Sequence, residues 1–308
     1  MRYPVVDCHC DALLKLWEQP YRNFRNSEEI DSNYERLVEG HVKLQFFAIF
    51  VEPWIKQEQK FQVVIEQIDH FYKSVLVQPK IRHIKNWEDI NSLQEGEIGA
   101  VLALEGVDAI GDDITKLSLL RHLGVLSVGL TWNQANLVAD GVDEDRGAGL
   151  TNFGREVVQF LNEHKLLTDV SHISVNGFWD VMELAHKPLA SHSNAKALCS
   201  HQRNLNDDQI RALVKKEGFI GLVFHPLFLM NDGKATIEHI VDHIDHFCAL
   251  GARNYIGFGS DFDGISSYVE HLRHSGHFVY LGEQLEKHYS SSFVKQLMYE
   301  NAFAFFNR

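Results

Sequence analysis

The feature that most constrains this chain is one local pattern repeated along it: short, continuously apolar runs separated by longer amphipathic segments. The runs fall at residues 5–9, 42–51, 98–105, 125–131, 166–171, 188–192, 219–225 and 255–261, eight in all. A strand with one wet face alternates apolar and polar residues. A strand buried on both faces reads as an unbroken apolar run, the mark of a parallel sheet. The intervening segments carry helical signals. Residues 57–75 and the tail 291–306 have apolar residues at helical spacing, and 152–164 starts at an asparagine cap. Asn206 to Gln209 has the form of a capping box, and 237–250 stops before Gly251. Strand followed by helix, eight times over, predicts an α/β fold, a (β/α)8 TIM-type barrel, with an open doubly wound sheet as the second candidate. There is no internal repeat, low-complexity tract or Pro/Gly/Ser linker, so residues 1–308 read as a single catalytic domain. The polar, irregular stretch 17–40 is expected to form an extended loop over the barrel mouth.

Residues able to bind metals sit at the ends of these runs. His9 and Asp11 close the first, Glu105 the third, His172 follows the fifth, His192 closes the sixth and Asp261 the eighth. All six lie at C-terminal strand ends, where barrel enzymes carry their active sites. Residues scattered at random would not do this. Imidazole suits zinc, and carboxylates ligate or bridge. His9 and Asp11, two residues apart, share one side of their strand. Three histidines and two carboxylates exceed the needs of one catalytic zinc. The set therefore predicts two divalent metals sharing a carboxylate, with Glu105 as the natural bridge.

The formal charge is −13, which argues against an electrostatic nucleic-acid footprint and against docking on an anionic membrane. No apolar stretch approaches the ~20 residues of a membrane-spanning helix, and the N-terminus lacks a signal-peptide pattern. Cys8, Cys10, Cys199 and Cys248 include no C-x-x-C spacing and are too sparse for a disulfide framework. They read as free thiols, and the protein as soluble and cytoplasmic. His239, His243 and His246 follow helical spacing and are expected to form a polar stripe outside the barrel. His271, His274 and His277 are expected to be solvated loop residues. Asp263 is expected to orient its neighbours.

The segments VDCHCD, ALEG, GLTNFGREVVQFLNEHKLLTDVSH, SHSNA, RNLNDDQI and GFGSDFDG together resemble the membrane dipeptidase (renal dipeptidase) family of zinc peptidases. The resemblance runs from residue 5 to about residue 265. It implies an amidohydrolase-type (β/α)8 barrel and a binuclear metal-dependent dipeptidase, acting through a metal-bridging hydroxide on dipeptides with a free C-terminal carboxylate. By motif, His9 and Asp11 would bind the first zinc, Glu105 would bridge, and His172 and His192 would bind the second. Asp261 would be the general acid/base, and Arg203 would grip the substrate carboxylate.

One position departs. Animal members carry a histidine after the fourth-strand threonine, where it contacts the substrate carbonyl. Here Trp132 follows Thr131. Oxyanion stabilisation would then fall to the metal, to Asn133 or to Asn136. Trp132 motivates an alternative reading, in which the same site hydrolyses another small amide such as a lactam or an N-acyl amino acid. His225, closing the seventh run, is a further candidate substrate contact. The secretory leader and lipid-anchor signal of the animal proteins are not seen, so a soluble, bacterial-type relative is expected. Similar enzymes are often dimers. A homodimer is therefore the assembly to look for.

Overall fold

The computed structural model describes residues 3–19 and 21–308. Nine strands are present: β1 Val5–Asp7, β2 Val42–Phe50, β3 Ile81–His83, β4 Ile98–Glu105, β5 Val125–Gly129, β6 Leu167–Asp169, β7 Pro188–Ala190, β8 Phe219–Leu222 and β9 Ile256–Phe258. Every pairing is parallel. Strand β1 lies between β2 and β9, and the order continues through β8, β7, β6 and β5 to β4. A β2–β4 pairing closes the ring, so eight strands make a closed barrel and the open-sheet alternative is excluded. All eight expected runs contain a barrel strand. The extra strand, β3, pairs with Ile98–Ala100 of β4, below the point where β5 joins at Leu102. At three residues, one of them a half-buried histidine, it is too short to show a period.

The helical expectations hold with local differences. The segment 57–75 is an α-helix, Gln57–His70, running into a π-helical turn, Phe71–Val75. The helix Asn152–Glu163 is capped by Thr151 rather than Asn152, because extended Thr151 accepts the Gly154 N–H at 3.0 Å. Asn206 and Gln209 do form a capping box, each side chain accepting the other's backbone N–H at 3.0 Å. Helix Ile237–Ala249 ends before Gly251, whose φ of +90° suits a residue without a Cβ.

The C-terminal helix Asn301–Phe306 plugs the barrel floor. Phe306 is fully buried against Phe46 of β2, Trp87 and Phe219 of β8, at centroid distances of 5.2, 5.0 and 6.2 Å. Burying such a ring stabilises by roughly 1.5–3 kcal/mol. These rings close the barrel axis at this end.

The expected polar histidine stripe is only partly polar. His246 pairs with Asp207 at 2.8 Å, and His239 closes a capping box with Thr236. His243, however, is fully buried. Its Nδ1 accepts the Ala195 N–H at 3.1 Å and its Nε2 donates to the Leu229 carbonyl at 3.2 Å. Burial pulls its pKa down to about 4, so the native state holds it neutral while the unfolded chain takes up a proton below pH ~6.5. The stability it provides is present above pH ~6.5 and is lost as pH falls towards 4. His243→Ala is expected to destabilise by about 2–4 kcal/mol at pH 7.5 and by less at pH 5. Urea unfolding of both proteins at the two pH values checks this, and a gap that widens on acidification would contradict it.

Candidate active site

The C-terminal strand ends gather the predicted residues into one buried cluster. Glu105 is the last residue of β4, but the others lie two to four residues beyond their strands, where the backbone leaves sheet pairing and can turn its side chains inward. Asp11 occupies an N-cap position yet makes no capping bond with its side chain. Its Oδ2 instead lies 3.4 Å from His9 Nε2. Asp261 is held with φ at +64°. The next turn needs Gly264, because a Cβ there would come within 2.3 Å of Asp11 Oδ2 and 2.6 Å of Asp261 Oδ1.

Glu105 sits at the centre with its two oxygens divided. Oε2 faces His9 Nε2 at 3.4 Å, while Oε1 faces His172 Nε2 at 2.9 Å and His192 Nε2 at 3.7 Å. Asp261 Oδ1 lies 3.8 Å from His9 Nε2. His9 Nε2 is buried without a hydrogen bond among the described residues.

The hydrogen bonds around the rings assign their tautomers. His172 Nδ1 donates to Asn133 Oδ1 at 2.7 Å, and Arg203 Nη2 donates towards His172 Nε2 at 3.3 Å. Ser191 Oγ donates to Asp169, so His192 Nδ1 donates to Ser191 Oγ at 2.7 Å. Both Nε2 atoms then carry lone pairs, and they lie 2.8 Å apart. Two lone pairs at that distance repel, and a shared or adjacent cation removes the repulsion. His9, Glu105 and His192, and separately His9, Asp11 and Asp261, bring ligand atoms within 4.8 Å of one another. The donor set fits divalent metal ions.

Electrostatics agrees. Burial, with the Arg203 charge beside it, pulls His172 down to about 3, and burial takes His192 well below the usual imidazole range, so both stay neutral. Burial opposes ionisation of Glu105, but the His9 charge outweighs it and holds the carboxylate ionised. Asp261 is pushed well up, first by burial and then by the Asp11 and Glu105 charges, against His9 and Arg203.

Arg203 is buried beside the cluster. Besides the His172 contact, its Nη2 donates to the His192 carbonyl at 3.1 Å. Among the described residues its Nε and Nη1 are buried without a partner. Burial lowers its pKa only to about 10, so it remains a cation at neutral pH. Trp132 leans on Phe50 at 5.0 Å and reaches His172 at 6.1 Å. Asn133 spends its Oδ1 on His172, which leaves its amide NH2 free among the described residues. Asn136 is fully engaged: it donates to the Leu130 carbonyl and accepts from Val138 and Ala139, so it holds a turn. His225 stacks on Phe228 at 4.5 Å, the same ring that the Arg203 guanidinium covers at 5.5 Å. That places it on the Arg203 side of the cluster.

The family model for membrane dipeptidases (peptidase family M19) matches residues 1–308. The chain belongs to the membrane dipeptidase family. It is therefore a metallohydrolase. Human dipeptidase 3 is 27% identical over 296 residues, spanning 92% of this chain and 60% of the human protein. An uncharacterised protein of Acinetobacter calcoaceticus is 29% identical over 287 residues, 79% of this chain and 88% of that one. A Rhodobacter sphaeroides metallopeptidase, solved with a phosphinate mimic of the dipeptide L-Ala-D-Ala, superposes with a TM-score of 0.94 at 26% identity. The match covers 100% of this chain and 99% of that chain.

Around this membrane-dipeptidase site runs a supporting layer that sequence reasoning missed. Asp169 accepts from the N–H and hydroxyl of both Ser171 and Ser191, and so fixes the two strand ends that carry His172 and His192. Asp7 does the same for the loop after β9, accepting from Ser260 N and Oγ at 2.7 Å each. Such partners orient ligands and set their basicity. A signal was available: each of the two histidines directly follows a serine, Ser171-His172 and Ser191-His192.

Asp263 does orient its neighbours. It accepts the N–H groups of Asp31 and Ser32 at 2.7 and 2.9 Å, which pins the 17–40 segment across the mouth. That segment is not all irregular, since it includes the end of helix Ala12–Glu18 and helix Tyr34–Glu39. His274 and His277, with ring centroids 3.8 Å apart, accept backbone N–H groups of their own turn instead of facing the cluster. The four thiols are free, and burial pushes Cys8 and Cys10 up, which makes them inert neutral groups. Among the described residues no helix is long and apolar enough to cross a membrane.

Proposed function

We propose that residues 1–308 act as a single catalytic barrel, a binuclear zinc dipeptidase that cleaves the peptide bond of dipeptides bearing a free C-terminal carboxylate. The observation that carries this reading is the division of Glu105, one oxygen towards His9 and the other towards His172 and His192. His9 and Asp11 would hold one ion, His172 and His192 the other, and Glu105 would join them. Bound there, the ions would polarise the scissile carbonyl and make water a competent nucleophile at neutral pH.

The chain's own groups do the rest. Arg203 offers two donors without a partner among the described residues, Nε and Nη1, to the substrate carboxylate, in the fork geometry a carboxylate matches. Holding that carboxylate sets the register of the scissile bond against the cluster. Asp261, raised by burial, takes a proton from the attacking water and returns it to the departing amine. The free amide of Asn133 is placed to donate to the carbonyl oxygen. Trp132 walls the site with an apolar face, which favours a second reading in which the preferred amide is a lactam or an N-acyl amino acid.

A substrate panel separates the two. Dipeptides with L and D C-terminal residues, their C-terminal carboxamides, N-acetyl amino acids and lactams would be compared by kcat/KM on metal-analysed protein. Dipeptides are expected to exceed the other classes, and carboxamides to fall by at least ~10²-fold, because neutralising the carboxylate leaves Arg203 buried and unpaired. Lactams or N-acyl amino acids winning would favour the second reading. Carboxamides cleaved as well as dipeptides would remove the role of Arg203.

A further inference from the structure

A large cavity lies at the opposite end of the barrel from the metal-type residues. It has a volume of about 800 Å³ and is lined by the starts of β5, β6 and β7, through Leu126, Leu166 and Lys187. Its charge is opposite to that of the chain. Lys85, Arg121, Lys165, Lys187 and Arg308 line it against two carboxylates, Glu88 and Glu163, whereas the whole chain carries −13. These cations come from five separate parts of the chain, so no single helix face or sequence run produces the cluster.

Carboxylates neutralise them only in part. Among the described residues Lys85, Arg121 and Lys165 form no ion pair. Lys85 lies over the Tyr72 ring at 5.7 Å, and Lys187 donates to the backbone oxygen of Arg308. Only Arg308 reaches an acid, Glu217 at 3.2 Å. Burial depresses the Lys187 pKa; Glu88 opposes the shift, and the Lys165 and Arg308 charges add to it.

We propose that this floor cavity is a binding site for a small polyvalent anion of the phosphate class. Converging cations in a concave, partly desolvated wall focus positive potential and attract multiply charged anions. The volume lies in the ~300–1,000 Å³ range of small-molecule sites and exceeds what a single phosphate fills. Asn86 on the wall adds a neutral donor, while Asn91 and Asn162 spend an amide N–H on Asn307 and the Leu184 carbonyl. The site is distinct from the membrane-dipeptidase centre and needs none of its residues.

The test is calorimetric titration of the metal-loaded protein with inorganic tripolyphosphate, and with ATP in a parallel arm, at about 150 mM salt. The comparators are Arg121→Glu/Lys165→Glu and, as a gentler pair, Lys85→Gln/Arg121→Gln. Saturable binding is expected, weakened at least tenfold by the charge reversal and several-fold by the neutral pair, with amide hydrolysis in the absence of anion within twofold of wild type. Any anion held by the catalytic metals binds all three proteins alike, so the difference reports the floor cavity. ATP binding tighter than tripolyphosphate identifies a phosphorylated small molecule as the ligand type, and the reverse identifies an inorganic polyphosphate. No saturable binding up to millimolar anion, or equal affinity in wild type and both variants, overturns the proposal.

Discussion

Asp261→Asn is expected to lower kcat on a dipeptide by roughly 10²–10⁴-fold, the usual contribution of a positioned acid/base, and to leave the metal content unchanged. The side chain sits 3.8 Å from His9 Nε2 and within ligand range of His9 and Asp11, so geometry alone allows it to be either a ligand or a proton carrier. Burial and two neighbouring carboxylates raise its pKa, which lets it hold a proton that an ordinary aspartate would release. Asparagine keeps the shape and removes the exchangeable proton. Metal analysis beside steady-state kinetics separates the two roles. Lost turnover with retained metal supports the proton carrier, while loss of a metal equivalent would make Asp261 a ligand.

Glu105→Gln is expected to have a larger effect, with loss of at least one metal equivalent and activity reduced by about 10³-fold or more. Glutamine fills the same volume but offers one oxygen where two are used. It also removes the charge that faces three imidazoles at 2.9–3.7 Å. Bridging carboxylates are charge-matched to their ions, and a neutral amide cannot replace that charge. The check is metal stoichiometry after dialysis against a weak chelator, with circular dichroism to show that the barrel is intact. Full metal content in the variant would contradict the bridging role.

Much of this was legible in the sequence because a parallel barrel imposes two patterns together. Doubly buried strands must be apolar throughout, and function must collect at their C-terminal ends. His9, Glu105, His172, His192 and Asp261 satisfied both, so their convergence could be expected before any distance was known. Other features depend on contacts between distant parts of the chain. Nothing local shows that Asp169 supports both histidine-bearing ends, or that Asp263 holds Asp31 and Ser32. His243 read as polar because spacing records a helix face but not what packs on it, and here Ala195 and Leu229 cover it. Strand β3 is too short to carry a period, and it borrows an edge of β4 that only the closed barrel leaves free. The floor cavity was hidden for another reason, since a net charge of −13 says nothing about where the few cations meet.

The most direct test of the binuclear dipeptidase reading is a titration of zinc into chelator-treated protein, with dipeptide hydrolysis followed at each addition. The geometry around Glu105 predicts negligible activity without metal and a rise that levels off at two equivalents per chain. Activity that is complete at one equivalent, or that persists in metal-free protein, would contradict it.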